Sequence, residues 1–82
     1  MTKTEIKERV NSFLIDELEI DEPKLQPKAT LKGDLGIDSL DFVDIVVIVN
    51  RIFGFKIKPE EMKDVSTLQQ FYDYIDSKVN LH

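Results

Sequence analysis

One pattern limits what this chain can fold into more than any other. From Asp38 to Phe53 apolar residues recur at spacings of three and four, and glycines bracket the run at Gly36 and Gly54. Turned by about 100° per residue, Phe42, Ile45, Val46, Val49 and Phe53 gather on one side of a helix. Asp38 is a good N-cap, and Asp41 at the third helical position makes an acidic variant of the capping box. A helix is therefore expected to begin at Asp38 or Ser39, which sets the Ser39 hydroxyl in its first turn, at the mouth of a loop. A strand is the rival, because Val43 to Val49 is rich in β-branched residues. The length of the pattern, and the lack of a second strand-like run to pair with, favour the helix.

The far side of that helix is only partly polar. Asp41, Asp44, Asn50 and Arg51 fall there, but so do Leu40, Val43, Val47 and Ile48. One core face does not need these four. An apolar strip edged by carboxylates on an outer face suggests a docking surface. The alternative is that a second packed helix covers the strip.

The rest of the chain reads as helices and loops. Thr2 or Thr4 can cap a first helix carrying Ile6, Val10, Phe13, Leu14 and Leu18 on one face, ending near Glu19 or Ile20. Asp21 to Ile37 is a long loop, with Pro23 and Pro27 against helix and Gly33 and Gly36 at turns. Its Leu25, Leu31, Leu35 and Ile37 should pin it over the helices. Pro59 suits the first turn of a short helix through Lys63. Ser66 and Gln69 form a capping-box pattern ahead of a last helix bearing Leu68, Phe71, Tyr72, Ile75 and Val79. The expected fold is all-α: a small four-helix bundle, three longer helices and one short one, with a long first loop. Residues 1–82 suffice for a single domain.

Charge and residue types exclude several functions. With 16 acidic and 11 basic residues the net charge is −5, which argues against nucleic-acid binding and suits partners with basic patches. No cysteine is present, so a thiolate nucleophile or metal site is out. The one histidine, His82, is the last residue, a poor place for the base that a catalytic serine needs. An EF-hand loop starting at Asp34 fails at Gly36, Ser39 and Ile45, so no metal site is expected. No apolar run can span a bilayer, and the charged start does not resemble a signal peptide. A cytoplasmic protein without a transmembrane segment is expected.

Asp34-Leu35-Gly36-Ile37-Asp38-Ser39-Leu40-Asp41 resembles the signature of acyl carrier proteins, in which an Asp-Ser-Leu triplet holds the serine that receives 4′-phosphopantetheine. The likeness runs over nearly the whole chain, to Asp73-Tyr74-Ile75 near its end. It implies that Ser39 carries the arm, flanked by Asp38 and Leu40. Ser39 would then be a substrate: a phosphopantetheinyl transferase supplies base and magnesium, and the hydroxyl attacks the β-phosphate of coenzyme A. Acyl groups would ride on the arm's thiol as thioesters, and the chain itself would be no enzyme. The implied partners are that transferase and acyl-transferring, ketosynthase or ligase-type enzymes. They would meet a monomer through Asp38, Leu40, Asp41, Val43, Asp44, Val47, Ile48 and Arg51.

Two departures from the family shape further expectations. Many fatty-acid carriers place glutamates in the second half of the central helix, where this chain has Asn50-Arg51-Ile52. That favours a dedicated acyl or polyketide-like pathway over general fatty-acid synthesis, with Arg51 facing a partner carboxylate or nothing. Carriers of the family can also bury a chain between the central and last two helices. Phe42, Val46, Met62 and Phe71 are the expected lining here. Phe42, Met62 and Phe71 are large enough to fill the space, so short, polar or rigid cargo is expected over long saturated chains. An aminoacyl or peptidyl carrier, and an unmodified helical interaction module, are the alternatives.

Overall fold

The computed structural model describes residues 1–80; His82 lies outside the described residues. Three α-helices, α1 (Lys3–Leu18), α2 (Ser39–Phe53) and α3 (Leu68–Val79), are joined by segments that each contain one three-residue 3-10 turn, Glu22–Lys24 and Met62–Asp64. The architecture is all-α, as the periodicity requires. The β-branched run of α2 is helical despite its local preference, because burying Ile45, Ile48 and Val49 on one side outweighs a small propensity cost.

Each long helix starts on a capping box. Thr2 pairs with Glu5, Asp38 with Asp41, and Thr67 with Gln70. The last of these corrects the expected Ser66–Gln69 box by one residue. Ser66 is drawn out of the helix because its carbonyl accepts the Leu31 N–H at 2.9 Å. Gln70 Oε1 still takes the Ser66 N–H and hydroxyl, at 2.8 and 3.0 Å. Gly54 ends α2 in the left-handed region at φ 78°, where a Cβ would be strained.

The expected short helix after Pro59 is not an α-helix. The Glu61, Met62 and Val65 N–H groups bond to the carbonyls of Lys58, Pro59 and Met62, each three residues back. Ten residues separate buried Ile57 from the start of α3, and buried or half-buried Ile57, Met62 and Val65 pin them to the core at short intervals. Between such anchors no stretch is long enough to repay the nucleation of an α-helix, so the chain settles for tighter turns.

Ile6, Val10 and Leu14 of α1, Val49 of α2 and Leu68 and Ile75 of α3 are fully buried and form the centre of the core. Leu25, Ala29, Leu35 and Ile37 bring the first loop onto it. The loop's backbone is also stitched to the start of α3. Besides the Leu31–Ser66 bond, the Leu68 N–H donates to the Ala29 carbonyl and the Gln69 N–H to the Pro27 carbonyl, at 2.9 and 3.0 Å. Thr30 and Thr67 form an isolated antiparallel bridge. These bonds satisfy polar groups that a loop lying on a core would otherwise strand.

Candidate functional site

The approach to α2 is a compact turn. The Asp34 carboxylate accepts the Thr30 N–H at 2.8 Å, and the Thr30 hydroxyl accepts the Asp34 N–H at 3.0 Å. Gly33 packs so closely that an added Cβ would sit 2.8 Å from the Thr30 hydroxyl oxygen. Gly36 follows at φ 68°, a left-handed conformation that glycine adopts without cost. Buried Ile37 then anchors the chain, and the helix starts one residue after Asp38.

Ser39 is the first residue of α2 and is exposed. On either side the cap is closed: Asp38 Oδ1 accepts the Asp41 N–H at 2.9 Å, and Asp41 Oδ2 accepts the Asp38 N–H at 3.3 Å. Both carboxylates are thus held by backbone amides and leave the serine side chain alone. The hydroxyl makes no side-chain hydrogen bond among the described residues, and it stands at a helix N-terminus, where backbone N–H groups and the dipole favour a phosphate.

Beside Ser39 opens a cavity of about 460 Å³. Leu14, Phe42, Ile45 and Phe71 give it an apolar floor; Leu31 and Ile37 of the first loop form one side, and Pro59, Met62, Lys63 and Val65 the other. Asp38, Ser39, Thr30, Lys32 and Ser66 surround it with polar groups. Phe42, Met62 and Phe71 therefore wall the space instead of filling it, which corrects the packing expected for them. Val46 is half-buried against the core and is not part of the lining. Ser39, Phe42 and Ile45 define the strip that faces the cavity, and Val46 is turned about 100° from Ile45. The space expected to be filled by Phe42, Met62 and Phe71 is open and bounded by them.

The outer face of α2 is apolar along its middle. Leu40, Val43 and Val47 are 78, 59 and 61 % exposed, with exposed Asp38 and Asp44 and half-exposed Asp41 beside them. Ile48 does not belong to this strip. It is 5 % exposed, because core packing extends around the helix from Ile45 and Val49 to cover it. Arg51 is also not free: its Nη2 donates to both carboxylate oxygens of Glu17, at 3.2 and 3.3 Å. The pairing is invisible in sequence because it joins the ends of two separate helices.

One group of residues around the site was not anticipated. Tyr74, Lys78 and Glu61 interact behind the 58–65 wall. Lys78 and Tyr74, which both hydrogen-bond Glu61, hold its carboxyl below the usual range, and Glu61 holds the Lys78 ammonium above its own. Elsewhere, burial pushes the Tyr72 hydroxyl up to about 12, partly offset by its hydrogen bond to Asn11.

Comparison with known proteins agrees with this geometry. A family model described as phosphopantetheine attachment site matches residues 8–75. The chain is similar to the acyl carrier protein of Thermosynechococcus vestitus, 37 % identical over 79 residues, covering 96 % of this chain and 98 % of that one. It is 33 % identical to the acyl carrier protein of Chlorobium phaeobacteroides over 78 residues, covering 95 and 100 %. The corresponding protein of Rubrobacter xylanophilus is 32 % identical over 75 residues, covering 92 and 93 %.

A helical fold with this match is a carrier of phosphopantetheine. More narrowly, the chain belongs to the acyl carrier protein family, and it carries acyl groups on covalently attached 4′-phosphopantetheine. The residues present fit that group: an exposed hydroxyl at a helix N-terminus, an apolar hollow beside it, and lysines at the rim. Members of the family meet phosphopantetheinyl transferases and acyl-handling enzymes. No helix among the described residues is long and apolar enough to cross a membrane.

Proposed function

We propose that Ser39 is the attachment residue and that the chain, as one domain over residues 1–82, serves other enzymes as a substrate and catalyses nothing itself. The observation that carries this is the exposed Ser39 hydroxyl on the first turn of α2, with a 460 Å³ cavity at its side. Its Oγ attacks the β-phosphate of coenzyme A. The new phosphodiester forms as the adenosine bisphosphate leaves, and the hydroxyl proton goes to a base of the transferase. The bound arm supplies a terminal thiol, which this cysteine-free chain lacks, for thioester bonds to acyl groups.

Asp38, Asp41 and Asp44 steer basic patches of the transferase and of acyl-transferring, ketosynthase or ligase-type enzymes. Leu40, Val43 and Val47 then give the encounter its apolar contact. Ile48 and Arg51 stay outside that contact, one covered and the other paired with Glu17. The cavity receives the acyl group. Its volume lies within the ~300–1,000 Å³ usual for small-molecule sites. We read the protein as cytoplasmic, where coenzyme A can supply the arm, and as a monomer between encounters.

Intact mass after incubation with coenzyme A and a broad-specificity phosphopantetheinyl transferase tests the assignment. The wild type should gain one arm, and Ser39→Ala should gain none while keeping native helical circular dichroism. Loading of the alanine variant at another serine would overturn the assignment.

A further inference from the structure

The cavity wall at residues 58–65 has no α-helical turn of its own. It consists of turns in which the Glu61, Met62 and Val65 N–H groups bond three residues back, and the 3-10 turn Met62–Asp64 has no side-chain cap. Such turns have poor hydrogen-bond geometry and hold little structure by themselves. Besides the packing of Met62 and Val65 on the core, a clasp of side chains from α3 holds the wall. The Tyr74 hydroxyl donates to Glu61 Oε1 at 3.0 Å, and the Lys58 N–H donates to the Tyr74 hydroxyl oxygen at 3.4 Å. Lys78 Nζ donates to Glu61 Oε2 at 2.9 Å and stands 5.6 Å from the centre of the Tyr74 ring. Phe55 meets that ring edge-on, with centroids 6.1 Å apart.

Neither Tyr74 nor Lys78 nor Glu61 lines the cavity. Yet Glu61 directly precedes Met62, and Met62, Lys63 and Val65 do line it. The clasp therefore grips the residue next to the wall's lining. Its charged pair is partly shielded, with side chains 30 and 35 % exposed, and the bond is charge-assisted.

We propose that Tyr74 and Lys78 are positioning residues which, through Glu61, hold the Met62 wall in place and so set the length of acyl chain that the cavity accepts. With the clasp closed, a chain longer than the cavity must displace close-packed side chains or project into solvent. With it loosened, the wall moves out as a segment of low local stability, and adaptable Met62 repacks around the longer chain. The proposal rests on the reading that Ser39 bears the acylated arm.

The test loads the full chain with acetyl, butanoyl, octanoyl, dodecanoyl and palmitoyl groups, using the matching acyl-coenzyme A thioesters and a broad-specificity phosphopantetheinyl transferase. Each product is checked by mass, so a failure to load at Ser39 counts against that reading and not against the clasp. The readout is the melting temperature gained over the arm-only protein, plotted against chain length. In the wild type the gain should rise and then level off. In Tyr74→Phe, which keeps the ring and loses the hydroxyl, and in Lys78→Met, levelling off should come at a longer chain. Lys78→Arg should keep the wild-type profile. A uniform drop in melting temperature with an unchanged profile would reduce the clasp to simple structural support and overturn the proposal. So would a wild-type profile indifferent to chain length, because the cavity would then hold no cargo.

Discussion

At the start of α2, the side-chain bonds that set the surroundings of Ser39 close within three residues, between Asp38 and Asp41. At the wall across the cavity, the side-chain bonds span thirteen to seventeen residues and end on α3. The two regions border one hollow and are built in opposite ways. The first is a local design that needs only its own few residues to be right. The second exists only once α3 has packed. The difference places the rigid part of the site under the reacting hydroxyl and the adjustable part against the cargo.

Strain on the local side should have the largest effect. Gly36→Val puts a branched side chain at φ 68°, which should cost about 1–2 kcal/mol. Urea unfolding should show the loss, with the 58–66 amides otherwise as protected as before. A loss shared by the wall would mean that the two regions are not independent. Asp38→Ala removes the helix cap and should cost about 1 kcal/mol. Chemical shifts should change at residues 37–42, and the Tyr74–Glu61 contact should persist.

Charge on the local side can be tested without touching the cap. Asp44 makes no side-chain hydrogen bond among the described residues, whereas Asp41 closes the capping box. Asp44→Lys should therefore slow loading by the transferase at low salt and leave stability nearly unchanged. The deficit should shrink as salt rises, since charges are screened over about 8–10 Å at ordinary ionic strength. A deficit indifferent to salt would argue against steering.

The smallest effect should come from acid, and it should fall on the wall alone. Lys78 and Tyr74 depress the Glu61 pKa in the folded protein from its ordinary 4.5. A carboxyl depressed by folding adds stability above its unfolded value and loses it as pH falls through the folded one. Protection of the Glu61, Met62 and Val65 amides should thus weaken below the ordinary carboxylate range, and Glu61→Gln should remove that step. If the α2 start lost protection in parallel, the step would belong to the whole fold and not to the clasp.

This contrast also explains what the sequence could and could not reveal. Asp38, Asp41 and Gly54 bound α2 by local chemistry, so its ends are legible, as is the exposed strip of Leu40, Val43 and Val47. The α3 cap was misplaced by one residue because two overlapping box patterns, at Ser66 and Thr67, are locally alike, and a bond from distant Leu31 decides between them. Ile48 and Arg51 were misjudged for the same reason. A wheel shows direction, not what stands opposite, and their burial and pairing depend on other elements. The cavity is lined by residues of all three helices and both connecting segments, which no pattern within one helix encodes.

The stitching of the first loop to the start of α3 bears on the order in which the site comes into being. Thr30 and Thr67 are far apart in sequence, and contacts of that kind must first meet the entropy of closing the intervening chain. The α2 start needs no such closure. During refolding the serine should therefore be in place on a capped helix before any hollow exists beside it. Pulsed amide exchange would see this as early protection at Phe42, whose N–H bonds the Asp38 carbonyl, and late protection at Leu31 and Leu68, whose N–H groups bridge loop and helix. Simultaneous protection would show that the site assembles in a single step. A nascent chain of this kind would offer its attachment point before it could shelter a cargo.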